Sequence, residues 1–173
     1  TLASMEIVRG LAYIASRGDA VAITVDDFFR LGSSSIAGVA APIWVAGACF
    51  LVFGVLLNFT VLGRDILAIG GNAEAARLAG VRVVAIKVAV FALQGTVAGL
   101  AGVLLASRMS LGDPKTSLGL ELAVISACVL GGVSLTGGIA TVSGVLVGVL
   151  LMGTVQNAMN LMNVPTFYQY GIR

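Results

Sequence analysis

Apolar positions run along this chain in long unbroken blocks, without the alternation of an exposed strand and with little of the amphipathic spacing of a surface helix. Charged residues are absent from Leu31 to Gly63, from Val88 to Ser107 and from Leu122 to Ile172, stretches of 33, 20 and 51 residues. About 20 apolar residues in a helix span the hydrocarbon of a bilayer. The first two blocks therefore each predict one crossing, roughly Ile43 to Leu62 and Val84 to Leu105. The third holds a crossing plus a re-entrant piece or the start of another.

The polar stretches between the blocks complete the outline. Thr1 to Ala15 mixes apolar positions with Glu6 and Arg9, as the interfacial end of a membrane helix does. Ser16 to Ala41 is a polar connection carrying Arg17, Asp19, Asp26, Asp27 and Arg30. Pro42 and Trp44 suit the first turn and the headgroup anchor of the crossing that follows. Gly63 to Lys87 reads as a loop, and Arg108 to Glu121 as another, with Asp113-Pro114 inside it. Gly119 to Leu130 is a short apolar segment that stops at Gly131-Gly132. A second pair, Gly137-Gly138, follows after four intervening residues, and helix is expected again from Ile139 to Ala158. Two glycine pairs interrupt a helix through conformational freedom. Irregular backbone at membrane depth is tolerated only against protein or a watery cavity. Asn163-Val164-Pro165 reads as a turn, with Thr166 to Ile172 as the first turns of a further helix. Neither end reads as a natural terminus, and the expectation is one transmembrane domain, residues 1–173, taken from a longer subunit.

Composition removes the soluble alternative. Hydrophobic residues make up 58 % and charged residues 10 % of the chain, against roughly 25 % charged in soluble domains. The fold class predicted is an all-α, polytopic membrane bundle with a broken or re-entrant helix. Charge then orients it. The connection at 16–41 sums to −1 and the loop at 63–87 to +2, so by the positive-inside rule the second faces the cytoplasm and the first lies outside, as does the loop at 108–121. No basic cluster reads as a nucleic-acid surface.

Chemistry is narrowed further by what is missing. The chain has no histidine, which removes Ser-His hydrolases, HExxH metalloproteases and His-ligated haem. Cys49 and Cys128 lie far apart in apolar runs and read as small buried residues, not as a disulfide or metal site. No GxxxxGK loop is present, so ATP hydrolysis would need another chain. The three uncharged runs hold no charged residue of the kind that such proteins place within their crossings, which disfavours an ion-coupled secondary transporter or channel. An intramembrane enzyme fares worse, because Ser143-Gly144 lacks a plausible base. Gly95-x-x-x-Gly99 with Gly102, and Gly144-x-x-x-Gly148, are small-residue spacings of the kind that let membrane helices pack closely.

The loop at 63–87 holds the most informative motif, Gly70-Gly71-Asn72-Ala73-Glu74-Ala75-Ala76-Arg77-Leu78-Ala79-Gly80-Val81. Asn72 can cap a short helix, Glu74 and Arg77 complement its dipole, and Gly80 supplies the stop. Such a helix, with an exposed face expected to be largely alanine, is marginal alone in water and needs a partner surface. Glu74-Ala75-Ala76 followed by Gly80 resembles the EAA-x-x-x-G signature in the cytoplasmic loop of bacterial ABC importer permeases, although the I-x-L-P ending of that signature is absent. Leu62-Gly63-Arg64, Ala68-Ile69-Gly70-Gly71-Asn72, Ala106-Ser107-Arg108-Met109 and the run Gly119 to Leu135 extend the match over nearly the whole chain. In these blocks it is similar to the monosaccharide permeases of ribose, xylose and arabinose importers, and most similar to the L-arabinose branch.

The resemblance implies a multi-pass bacterial inner-membrane subunit of about twice this length, normally a homodimer in lipid. It would accept a pentose such as L-arabinose from a periplasmic binding protein and be driven by a cytoplasmic ATP-binding subunit. The chain itself would bind no cofactor, with ATP held by that partner. Carried over residue by residue, Asn72, Glu74, Ala75, Ala76, Arg77 and Gly80 would form the coupling surface for the ATPase. An uncharged sugar calls for amide and hydroxyl side chains. The candidates are Gln94, Thr96, Ser126, Ser134, Thr136, Gln156, Asn157 and Asn160, with Gln94, Ser126, Ser134, Thr136 and Asn157 foremost and the break at 131–138 as the favoured region.

Overall fold

The structure is a computed structural model of the 173-residue chain, and residues 2–36, 38–116 and 119–165 are described. Three helices are long and apolar enough to cross a membrane: α3 (Ala41–Phe59), α6 (Val83–Met109) and α8 (Val142–Leu161). With α1 (Leu2–Ser16), α2 (Asp26–Ser33), α4 (Val61–Gly71), α5 (Ala73–Leu78) and α7 (Leu120–Leu130), they make an all-α, multi-pass membrane protein. Four two-residue strands, β1 (Val21–Ala22), β2 (Ser35–Ile36), β3 (Val39–Ala40) and β4 (Leu111–Gly112), are the other regular elements among the described residues. The further helix expected at 166–172 lies outside the described residues.

Contacts divide the chain into two compact units, residues 1–48 with 92–118 and residues 49–91 with 119–173. In the first, β1 pairs antiparallel with β4, Val21 opposite Gly112 and Ala22 opposite Leu111. This ties together the two polar connections that charge assigns to one face of the membrane. β2 and β3 close a hairpin within the first connection. That connection is therefore built, and not a plain loop: α2 lies against the end of α6. Ser107, fully buried, donates its Oγ hydrogen to the Phe28 carbonyl at 2.5 Å. Gly32 faces the same turn, where an added Cβ would sit 2.6 Å from the Arg108 nitrogen. A cleft of about 480 Å³ beside it is lined mainly by Ala12, Ala15, Leu105, Met109 and Pro114.

In the second unit the expected loop at 63–87 is mostly helix. Thr60 is extended between α3 and α4, and its Oγ1 accepts from the Gly63 amide at 3.1 Å, which starts α4. Hydrophobic spacing alone missed this start because the apolar run continues through Val61 and Leu62. Gly63 itself packs on the Leu56 and Leu57 carbonyls, a fit that a side chain would prevent.

The interrupted segment resolves into a hairpin of unequal arms. α7 has 11 residues, about 17 Å at 1.5 Å per residue, against roughly 30 Å of hydrocarbon. It cannot cross alone. It runs antiparallel to the first half of α8, with Ala127 and Gly131 against Gly148 and Gly144. An added Cβ at Gly131 would lie 2.5 Å from the Gly144 carbonyl oxygen, and one at Gly148 would strike the Ala127 oxygen. Helix resumes at Val142, later than Ile139, because Ser134 and Ile139 close the connection with a 3.0 Å backbone bond. After α8, Asn163 (φ 50°) makes the turn expected before Pro165, with the Val164 amide donating to the Met159 carbonyl at 3.0 Å.

Candidate functional site

The motif at 70–81 folds as its residues dictate. The Asn72 side-chain oxygen accepts from the amides of Glu74 and Ala75, both at 3.0 Å, so two otherwise orphaned donors at the start of α5 are satisfied. Asn72 also closes α4, donating its amide to the Ala68 carbonyl at 3.0 Å. One residue is thus the whole hinge between two helices. At the far end the amides of Gly80 and Val81 donate to the carbonyls of Arg77 and Ala76, each at 3.0 Å, with Gly80 at φ +87°. A left-handed residue here favours glycine over any β-branched one.

Glu74 lies in the first turn and Arg77 in the last, the placement that the helix dipole favours. Both are exposed, as are Asn72, Ala75 and Gly80. Ala76 is the correction. The expected exposed face is largely alanine, yet Ala76 is only 6 % exposed, because one side of this six-residue helix is turned inward. The outward face carries Leu78, 85 % exposed, beside the exposed Ala75 and Ala79. An apolar side chain left in the open beside a capped, charged surface was the available signal. Two clefts flank α5. One, about 850 Å³, is lined by Glu74, Arg77, Arg82 and Val84 among others. The second, about 510 Å³, lies between Leu62, Asp65, Gly80 and Ile86.

Within the second unit the polar candidates are spread between the hairpin connection and the far end of α8. Ser134 and Thr136 share a 2.8 Å hydrogen bond between their hydroxyls in the connection of the hairpin. Ser126 is half-buried on α7, one turn before its end. Asn157 is exposed fifteen residues into α8, about 22 Å along the axis from its start. Gln156 is half-buried and Asn160 exposed in the same last turns. Gln94 and Thr96 are exposed on α6 in the other compact unit, where the Thr96 hydroxyl donates to the Ala92 carbonyl at 2.8 Å.

The thiols of Cys49 and Cys128 are free, and both residues are half-exposed rather than buried. Among the described residues, no group of three His, Cys, Asp or Glu side chains could hold a metal ion.

A contact that motif reading missed sits beside the loop helix. Gly70 and Gly71, the last residues of α4, meet Gly137 and Gly138 of the hairpin connection backbone to backbone. The signal was the recurrence of glycine pairs at 70–71, 131–132 and 137–138.

Comparison with known proteins places this geometry. The chain is 68 % identical over all 173 of its residues to the L-arabinose ABC transporter permease protein AraH of Azospirillum brasilense, covering 51 % of that relative. It is 60 % identical, again over its whole length, to the L-arabinose transport system permease protein AraH of Escherichia coli K12, covering 53 % of it. The ribose import permease protein RbsC of Haemophilus influenzae is 38 % identical over 98 % of the chain and 54 % of the relative. The chain thus spans about half the length of the curated relatives it matches. No solved structure matches it significantly. The profile of the permease component of the branched-chain amino acid transport system matches residues 1–173, so the chain belongs to that family of membrane permeases.

Proposed function

We propose that the subunit containing this chain is the membrane permease of an ATP-driven importer of L-arabinose or a related pentose. The observation that carries the reading is α5, a helix too short to persist by itself, capped at both ends and presenting Glu74, Ala75, Arg77 and Leu78 outward. Such a surface is built to be covered. A cytoplasmic ATP-binding subunit is the partner proposed, with Asn72 and Gly80 holding the helix in shape, Glu74 and Arg77 meeting opposite charges, and Ala76 filling the inner side. The net charge of +2 on residues 63–87 supports a cytoplasmic position. The names of the relatives at 68 % and 60 % identity supply the substrate class.

In this reading a periplasmic binding protein delivers the sugar to a homodimer of subunits in the bacterial inner membrane. The chain needs no cofactor of its own, since ATP is hydrolysed by the partner. A pentose has hydroxyls and no charge, so its path uses neutral donors and acceptors. Gln94, Ser126, Ser134, Thr136 and Asn157 are the proposed contacts, and the mutually bonded Ser134 and Thr136 could exchange their shared bond for bonds to a sugar hydroxyl.

The test is uptake of labelled L-arabinose by cells lacking their own pentose importers, supplied with the full-length subunit, its binding protein and its ATPase. Concentrative uptake is expected, lost with a hydrolysis-dead ATPase and competed by unlabelled substrate in preference to ribose or galactose. Uptake that persists with the dead ATPase would overturn the ATP-driven reading, and preferential competition by ribose would overturn the choice of sugar.

A further inference from the structure

A six-residue helix can drive apolar helices only through a stiff connection. α5 is joined backward to α4 by Asn72 alone, whose amide and side chain are both committed to the two helix ends. The forward joint, 79–82, is held by local backbone bonds of Gly80 and Val81, and a Cβ added at Gly80 would meet nothing within 4 Å. The backward joint ends in a contact of another kind. A Cβ added at Gly70 would lie 2.5 Å from the Gly138 nitrogen, and one at Gly137 would lie 2.5 Å from the Gly70 oxygen. One at Gly138 would lie 2.9 Å from the Gly71 Cα. Gly137 and Gly138 hold φ of +92° and +80°, so the connection is a tight turn that other residues would not readily copy.

Backbone packed directly on backbone has no side-chain torsion with which to absorb a displacement, and close-packed regions transmit strain. Beyond the turn, α7 and α8 are locked by the same kind of contact at Gly131, Gly144 and Gly148. α5, Asn72, α4, the glycine contact and the hairpin thus form one continuous series of stiff joints within a single compact unit.

We infer that the contact of Gly70 with Gly137–Gly138 is the linkage that passes displacement of α5 to the α7–α8 hairpin. These glycines are positioning residues, acting through the elements they join. The inference rests on the proposed coupling role of α5.

The test uses the full-length subunit assembled with its ATPase and binding protein in proteoliposomes. Gly70→Ala, which forces the contact apart, is expected to lower sugar uptake roughly tenfold while ATPase recovery and ATP hydrolysis persist. Gly71→Ala is the matched control, because its Cβ would lie in ordinary contact, 3.9 Å from the Gly138 Cα, and uptake should stay within about twofold of the parent. Parental uptake with Gly70→Ala, or equal loss with both alanines, would overturn the linkage. Should Gly70→Ala fail to fold, a second measurement decides. Gly71→Cys and Ile139→Cys, in a subunit with Cys49 and Cys128 replaced by alanine, are bridged by a short bismaleimide, with mono-maleimide labelling as control. A linkage that moves as one body leaves uptake unchanged by bridging; loss on bridging alone overturns it. Glu74→Lys separates this inference from the reading beneath it. If that variant loses the ATPase while Gly70→Ala transports normally, the linkage fails and the coupling role stands. If it retains the ATPase in full, the coupling role fails first.

Discussion

Two helices of this chain carry the same small-residue spacing and use it differently. In α8, Gly144 and Gly148 face α7 so closely that neither could carry a Cβ without striking the carbonyl of Gly131 or Ala127. In α6, Gly95, Gly99 and Gly102 have nothing within 4 Å. Small residues let two backbones approach, yet they do not say whether a second backbone is there. In α8 the partner is the preceding arm, brought back by the glycine connection at 131–138 a few residues away. Among the described residues α6 has no such local partner, and a Cβ added at any of these three glycines would meet nothing within 4 Å. Spacing is a permission, and connectivity decides whether it is used.

The largest effect expected from breaking this contrast is at Gly148. Gly148→Leu drives a branched side chain into the Ala127 carbonyl, and overpacking of this kind costs about 3 kcal/mol or more. The expected outcome is loss of folded full-length subunit, read as the monodisperse fraction after mild detergent extraction. Gly131→Ala adds one carbon at the same seam and should cost about 1–2 kcal/mol, seen as a lowered thermal midpoint with the subunit still recoverable. Next comes a site belonging to neither surface. Asn72→Ala removes the cap of α5 and should cost about 1 kcal/mol. Amide exchange at Glu74 and Ala75 should quicken roughly fivefold while α7 and α8 are unchanged. The smallest effect is the sharpest: Gly99→Leu should shift the thermal midpoint by no more than about 0.5 kcal/mol equivalent, as for a site with no packed neighbour. A loss there as large as at Gly148 would place another backbone against α6 and end the distinction.

Much of the architecture was legible because the solvent writes it. Uncharged blocks longer than a bilayer is thick have few solutions, and α3, α6 and α8 fall where those blocks predicted them. The loop helix was equally readable, since Asn72, Glu74, Arg77 and Gly80 act on neighbours within four residues and need no distant partner. α4 was not. Its start depends on Thr60 leaving the helix inside a continuous apolar run, and hydropathy has no term for that. The burial of Ala76 was also out of reach, because a short helix shows which side is inward only once its neighbours are placed.

The glycine contacts mark the same boundary. The pairs at 70–71 and 137–138 were visible as interruptions, but their meeting joins positions more than sixty residues apart. Local chemistry thus determined the membrane class, the number of long apolar helices and the caps of α5, because burial in lipid and capping act on each segment separately. Tertiary structure alone decided that α7 folds back on α8, that α2 rests on Ser107, and that the turn at 137–138 sits on the end of α4. Those outcomes depend on which backbones can approach within a side chain's width, a property of pairs of segments that no single segment carries.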